Sequence, residues 1–202
     1  YDCLVGYCGL LRGNVVVALI NDTIHESIFN DIVLKFKPAL IYQPKRYFQV
    51  NNSWDLKLAF GEYGLYKTNF EMDYKINDNL SMLLMTSGST GSPDFVKLSY
   101  SNISSNTKAI CNYLNIKGTD VAITTLPMSY SYGISIINTH LYSAANLILT
   151  DASLMEKKFW KIISNYKVTT FGGVPYTFEI LKKLKYADIH LPNINYITQA
   201  GG

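Results

Sequence analysis

The stretch that most constrains this chain is Ser81-Met82-Leu83-Leu84-Met85-Thr86-Ser87-Gly88-Ser89-Thr90-Gly91-Ser92-Pro93, followed by Asp94-Phe95-Val96-Lys97-Leu98-Ser99. An apolar run of strand length stops at a run of Gly, Ser and Thr, Pro93 closes that run, and a second short apolar run follows. The pattern predicts strand, tight loop, strand. Gly88 and Gly91 permit positive φ or close approach of a ligand to the backbone. With no bulky side chains in the way, the loop N–H groups can turn inward and form an anion-binding concavity, and the hydroxyls add donors. A phosphate chain fits such a loop. A flexible surface loop has the same composition; the strand that runs straight into the loop favours the phosphate reading. The spacing is not that of the nucleoside-triphosphatase P-loop, which needs Gly, four residues, then Gly-Lys-Ser/Thr.

At 202 residues the chain can build one good core or part of a larger fold. Its 48% hydrophobic and 16% charged residues mark a globular chain. The net charge of +3 is small and dispersed, which argues against nucleic acid. Lys182, Lys183 and Lys185 read as the wet face of a helix. Three cysteines, Cys3, Cys8 and Cys111, have no paired spacing, so neither a disulfide framework nor a zinc site is expected. Reduced thiols point to a cytoplasmic location. His25, His140 and His190 are scattered and read as core or surface residues. No apolar run approaches the roughly 18 residues of a membrane span. The chain starts at Tyr1-Asp2-Cys3 and stops on Gln199-Ala200-Gly201-Gly202, so both ends are expected to be cut.

Along the chain, Asn14 to Ile20 predicts a buried strand. Thr23 and Glu26 predict a capping box for a helix from Ile24 to Phe36, with Ile24, Ile28, Ile32 and Phe36 on one stripe beside Phe29 and Val33. Pro38 ends it, and Ala39 to Tyr42 is expected to complete a βαβ unit. Tyr42 to Leu80 is irregular and polar, with short strands expected such as Leu65 to Lys67. Helices are predicted from Ser101 to Leu114, Ile134 to Tyr142 and Tyr176 to Lys185. Strands are predicted at Val121 to Thr125, Ala145 to Thr150, Val168 to Phe171 and Tyr196 to Ala200. Ser153 and Glu156 predict a second capping box, ahead of a core stripe of Phe159, Ile162, Ile163 and Tyr166. The alternation predicts an α/β fold with a mostly parallel, doubly wound sheet.

Thr86 to Pro93, with Ser99 and Asn102-Ile103 beyond, resembles the phosphate-loop signature of the adenylate-forming (AMP-binding) superfamily: acyl-CoA synthetases, peptide-synthetase adenylation domains and luciferases. The family pattern is Thr-Ser-Gly-Ser/Thr-Thr-Gly, any residue, Pro-Lys-Gly-Val, two residues, Ser-His. Asp94 stands at the lysine position and Tyr100 at the histidine position. The resemblance continues in Lys37-Pro38-Ala39-Leu40-Ile41, in Leu126-Pro127-Met128-Ser129-Tyr130-Ser131-Tyr132-Gly133, in Gly173-Val174-Pro175 and in the closing Gly201-Gly202. It implies one partial N-terminal domain over residues 1–202, with a leading part (1–80) and a part carrying the phosphate loop and acyl pocket (81–202).

The resemblance further implies an AMP-forming ligase. Such an enzyme joins a small carboxylic acid to ATP as an acyl-adenylate, then passes the acyl group to a thiol of CoA or of a phosphopantetheine arm on an acyl or peptidyl carrier protein. By position, Thr86, Ser87, Gly88, Ser89, Thr90, Gly91 and Lys97 would hold the phosphates, with Thr86 nearest a magnesium ion. Tyr130, Tyr132, Gly133, Gly173, Val174 and Pro175 would line the substrate pocket, and Gly201 and Gly202 would border adenine. No catalytic residue is assigned. The family's Tyr-Gly-x-Thr-Glu segment and its lysine-bearing C-terminal lid domain are expected beyond Gly202, so the chain alone is expected to be inactive. The run after Pro127 lacks an acid, which leans towards a plain carboxylic acid over an α-amino acid. A carboxylate at position 94 would repel pyrophosphate unless Lys97 replaces the lysine. A non-catalytic or degenerate nucleotide-binding module is the alternative.

Overall fold

The computed structural model describes residues 1–50, 54–71, 74–86, 94–185 and 191–201. The fold is mixed α/β, and the chain divides into two compact units, Tyr1–Tyr100 and Ser101–Gly202.

The first unit holds α1 (Asp2–Arg12), β1 (Val17–Leu19), α2 (Glu26–Phe36), β2 (Leu40–Pro44), a 3-10 turn (Lys45–Val50), β3 (Asp55–Phe60), β4 (Tyr63–Lys67), β5 (Leu80–Met85) and β6 (Phe95–Ser99). One sheet has the order β1-β5-β6, with β1 parallel to β5 and β6 antiparallel to it; the other is antiparallel, in the order β2-β4-β3. The expected βαβ unit is therefore not formed, because β1 and β2 lie in different sheets. β2 pairs instead with β4, from Leu40 opposite Lys67 to Pro44 opposite Tyr63. Thr68 fixes that choice: its N–H donates to Ala39 O at 3.1 Å and its hydroxyl to Pro38 O at 2.5 Å. An apolar run shows that a strand forms; its partner is set by contacts distant in sequence.

The Thr23–Glu26 capping box is also absent. His25 is the N-cap of α2, and its ring accepts from Ser27 N, while Thr23 N donates to Asn21 Oδ1. Ile28, in the first turn of α2, is 36% exposed, whereas Ile32 and Val33 are buried. Val33 joins Ile41, Trp54 and Tyr66 in the core of this unit.

The second unit contains most of α3 (Tyr100–Leu114), then β7 (Val121–Ile123), α4 (Ser131–Tyr142), β8 (Asn146–Ile148), α5 (Lys157–Asn165), β9 (Thr170–Gly173), α6 (Pro175–Lys183) and β10 (Tyr196–Gln199). Its four strands are parallel, in the order β10-β9-β7-β8. From β7 the chain steps one way to β8, then returns so that β9 and β10 lie on the other side of β7. Strand order thus reverses between β7 and β9, the doubly wound arrangement expected from the alternating pattern.

α5 and α6 share one core with the sheet, made of Ile123, Phe159, Ile163, Val168, Phe171 and Leu181. Phe159 meets Phe171 edge-on, with ring centroids 6.3 Å apart. Full burial of side chains this size contributes about 1.5–3 kcal/mol each. Tyr166 does not belong to the expected stripe: it follows the last helical residue and is 63% exposed. The second capping box forms only in part. Glu156 accepts from Ser153 N at 2.9 Å, but Ser153 Oγ accepts from Met155 N, and Glu156 itself is the N-cap of α5.

Candidate functional site

β5 and β6 form an antiparallel hairpin in which Leu84 faces Val96 and Met85 faces Phe95. One step beyond the ladder, Thr86 N donates to Asp94 O at 2.9 Å, and Thr86 Oγ1 lies 3.3 Å from the same carbonyl. Ser87, Gly88, Ser89, Thr90 and Gly91 lie outside the described residues. Asp94 serves the hairpin through its backbone, and its side chain is exposed. Alternation along a strand puts Lys97 on the same face as Phe95, and Asp94 on the face of Val96. Phe95 packs edge-on against Phe36 of α2 at 5.0 Å. Asp94 and Lys97 therefore point to opposite faces of the hairpin.

In the second unit, six of the expected residues come together where the parallel strands end. β7 runs into the turn at Pro127, and Tyr130 N donates to Pro127 O at 3.1 Å. α4 then starts with Tyr130 as its N-cap. Gly133 lies in its first turn because any Cβ there would overlap the Pro127 carbonyl. β9 ends in the buried pair Gly172-Gly173, and Val174 caps α6, with Pro175 at its first position. Val174 N donates to Thr177 Oγ1 at 3.1 Å. Thr125 Oγ1 donates to Gly172 O, joining the end of β7 to β9 across the switch point.

β10 closes the third side. Ala200 N donates to Gly173 O at 3.3 Å. Gly201 has φ +80, which favours glycine, and a Cβ there would overlap Tyr130 Oη. Tyr132 Oη donates to Thr198 Oγ1 at 2.5 Å. Burial raises the Tyr132 pKa above its ordinary value of 10, against the lowering effect of that bond. Tyr132 is thus a neutral donor at physiological pH. Gly172 makes room for it, since a Cβ would stand 2.7 Å from Tyr132 Oη and 2.6 Å from Ile136 Cδ1.

Tyr130, Tyr132, Gly133, Gly173, Val174 and Gly201 thus meet at the carboxyl ends of β7, β9 and β10, with Pro175 just behind at the start of α6. Open parallel sheets bind ligands at such a point. Gly202 lies outside the described residues. Sequence reasoning missed Thr125, Gly172, Thr177 and Thr198. The available signal was position: each sits within three residues of a motif that was read.

Comparison with known proteins follows the same lines. The sequence profile of the AMP-binding enzyme family matches residues 4–201. An acyl-CoA synthetase of Alternaria alternata is 27% identical over 124 residues, covering 60% of this chain and 21% of the relative. A D-alanine–D-alanyl carrier protein ligase of Staphylococcus epidermidis is 25% identical over 169 residues, covering 83% of this chain and 34% of the relative. Among solved structures, o-succinylbenzoate CoA synthetase from Bacillus subtilis, in complex with its acyl-adenylate intermediate, superposes with a TM-score of 0.69 at 17% identity, over 100% of this chain and 53% of that one. VinN gives a TM-score of 0.72 at 16% identity, over 99% and 52%. At such identities the structural likeness shows the fold. The chain spans about a fifth to a third of these curated relatives, and about half of these solved ones. With the family profile matched over residues 4–201, the chain belongs to the AMP-binding enzyme family.

Proposed function

We propose that the protein carrying this chain is an AMP-forming ligase that activates a carboxylic acid with ATP and hands the acyl group to a thiol. The observation that carries the reading is the convergence of Tyr130, Tyr132, Gly173, Val174 and Gly201 at the switch point. The cluster offers the Tyr130 and Tyr132 hydroxyls beside apolar Val174 and the glycine backbone at Gly173 and Gly201. That suits an uncharged acyl group entering carboxylate-first, and the absence of an acid between Pro127 and Gly133 supports a plain acid over an α-amino acid. The phosphates are assigned to Thr86, Ser87, Gly88, Ser89, Thr90, Gly91 and Lys97, and the adenine edge to Gly201 and Gly202.

Nucleotidyl transfer of this kind depends mainly on positioning and charge stabilisation. The hairpin supplies the positioning, since the Thr86–Asp94 bond brings the two ends of the loop together. Magnesium would supply positive charge on the phosphate oxygens. The donor set fits a cation brought in with ATP: Thr86 offers one neutral oxygen, and among the described residues no group of three His, Cys, Asp or Glu could hold a metal. The acceptor thiol is CoA or a carrier-protein arm; relatives of both kinds are found. A cytoplasmic location accompanies this reading, and among the described residues no helix is long and apolar enough to cross a membrane.

The test is acid-dependent ATP–pyrophosphate exchange by the whole protein across a panel of carboxylic acids. Exchange with at least one acid supports the ligase. ATP binding without exchange for any acid supports the second reading, a non-catalytic nucleotide-binding module, which the exposed Asp94 at the lysine position favours.

A further inference from the structure

Three glycines of the switch-point cluster leave space that neighbouring side chains take up. A Cβ on Gly172 would stand 2.6 Å from Ile136 Cδ1, 2.7 Å from Tyr132 Oη and 3.0 Å from Tyr132 Cζ. One on Gly173 would stand 2.5 Å from Thr177 Cγ2, and one on Gly201 would overlap Tyr130 Oη. Non-bonded carbons rest at about 3.5–4.0 Å. The three glycines therefore make room for Tyr132, Thr177 and Tyr130, and leave none of that room to an acyl chain.

Tyr132 also closes the way down between α4 and the sheet. Tyr132, Ile136 and His140 follow one another at helical spacing, so they form a row along one side of α4. Tyr132 and Ile136 both meet β9 at Gly172, which sets this row against the sheet. Ile136 and His140 are buried, and Tyr132 is the half-buried residue at the top of the row. Its hydroxyl donates to Thr198 Oγ1, so the side chain reaches from α4 to β10 over the end of β9. One phenol thus covers the gap between helix and sheet, with buried side chains beneath it.

We propose that Tyr132 is the floor of the acyl site and limits the acid to a short chain. The proposal rests on the ligase reading, which puts the acyl group at this cluster. A long aliphatic tail needs a slot to bury it. The slot between α4 and the sheet is filled by the phenol and shut by its bond to Thr198. A short acid such as propionate needs no such slot. The limit is steric: the ring sets it, and the hydroxyl only holds the ring in place. Tyr132 is therefore a specificity-determining residue and takes no part in the chemical step.

The experiment is ATP–pyrophosphate exchange by the whole protein with straight-chain acids from acetate to decanoate, on the wild type, Tyr132→Ala and Tyr132→Phe. The wild type is expected to favour propionate over octanoate. In Tyr132→Ala the ratio of kcat/KM for octanoate to that for propionate should rise at least tenfold, since each methylene newly buried is worth about a fourfold gain. Tyr132→Phe keeps the ring and should keep the wild-type ratio. Simple loss of stability lowers both rates together and leaves the ratio where it was. Tyr132→Leu, which retains apolar contact with Ile136, should move the ratio in the same direction and replaces Tyr132→Ala if that variant does not fold. The Tm of each protein with each acid, at saturating ATP, reads binding without turnover; octanoate should raise it in Tyr132→Ala and not in the wild type. A wild type that favours octanoate, an unchanged ratio in Tyr132→Ala, or an equal shift in Tyr132→Phe overturns the size limit and leaves the ligase reading standing. No exchange by any of these proteins with any acid overturns the ligase reading; the Tm shifts then decide the size limit, and their absence for every acid overturns it as well.

Discussion

The Tyr132 hydroxyl donates to Thr198 Oγ1 at 2.5 Å, joining the first turn of α4 to β10 across the carboxyl end of β9. The bond spans 66 residues of sequence, and Gly172 lies beneath it. Tyr132→Phe removes the donor and leaves Thr198 to be solvated alone. We expect a loss of about 1 kcal/mol of stability and a KM for the acid that rises more than kcat falls. Gly172→Ala should be worse, by about 1–3 kcal/mol, because its Cβ must displace both Tyr132 and Ile136. Thermal unfolding and pyrophosphate exchange on the two variants check both.

Asp94 contributes to the hairpin through its carbonyl alone. Asp94→Lys therefore changes charge beside the proposed phosphate loop and leaves the ladder intact. ATP affinity of the whole protein should rise about fivefold, the size of one favourable exposed ion pair of about 1 kcal/mol. Calorimetric titration with ATP reads this directly. Unchanged or weaker affinity would show that the carboxylate does not face the phosphates.

His140 is 3% exposed, and its Nδ1 lies 2.8 Å from Ile136 O. The carbonyl can only accept, which assigns the proton to Nδ1, while Nε2 is buried with no partner. Burial pushes the pKa below its ordinary 6.5, opposed by the Ile136 bond and by the Asp120 carboxylate. The unfolded chain thus binds a proton more readily than the folded one. Stability is full above about pH 6.5 and falls as the pH drops below that value, by at most about 1.4 kcal/mol per pH unit. In His140→Gln this slope should flatten between pH 5 and 6.5, as read by denaturant titration at a series of pH values.

Ala144 ends α4 in the left-handed region, at φ 53, and is exposed. A residue with a Cβ is strained there, and glycine is not. Ala144→Gly should raise stability by about 0.5–1 kcal/mol. Lys167, at φ 51 after α5, should respond similarly. Melting temperatures of the two single variants and of the double variant test both the sign and the additivity.

How much of this was legible depended on how local its cause was. The β5–β6 hairpin, α3 and α6 could be read because an apolar run, a stripe or a proline announces each of them nearby. β3 could not: Asp55 to Phe60 is exposed throughout, so burial leaves no alternation in its sequence. The βαβ reading failed because β2 is captured by a strand more than twenty residues later. In the site, Tyr130, Gly133 and Val174 stood in recognisable turns. Thr198 and Gly172 did not, since their importance comes from Tyr132, which reaches them only through the fold.

The return of the chain across β7 also has a kinetic meaning. β7 can pair with β8 after a single helix, but its other edge stays open until residues up to Thr170 and Phe171 arrive. The turn at Pro127 and the end of β9 at Gly172 are brought together only by that second, longer closure, and β10 must then dock on β9 before Thr198 can meet Tyr132. Non-local closures of this kind come late and slowly. The cluster at the carboxyl ends of β7, β9 and β10 is therefore expected to be the last part of this unit to be completed during folding, after β7 and β8 have already paired.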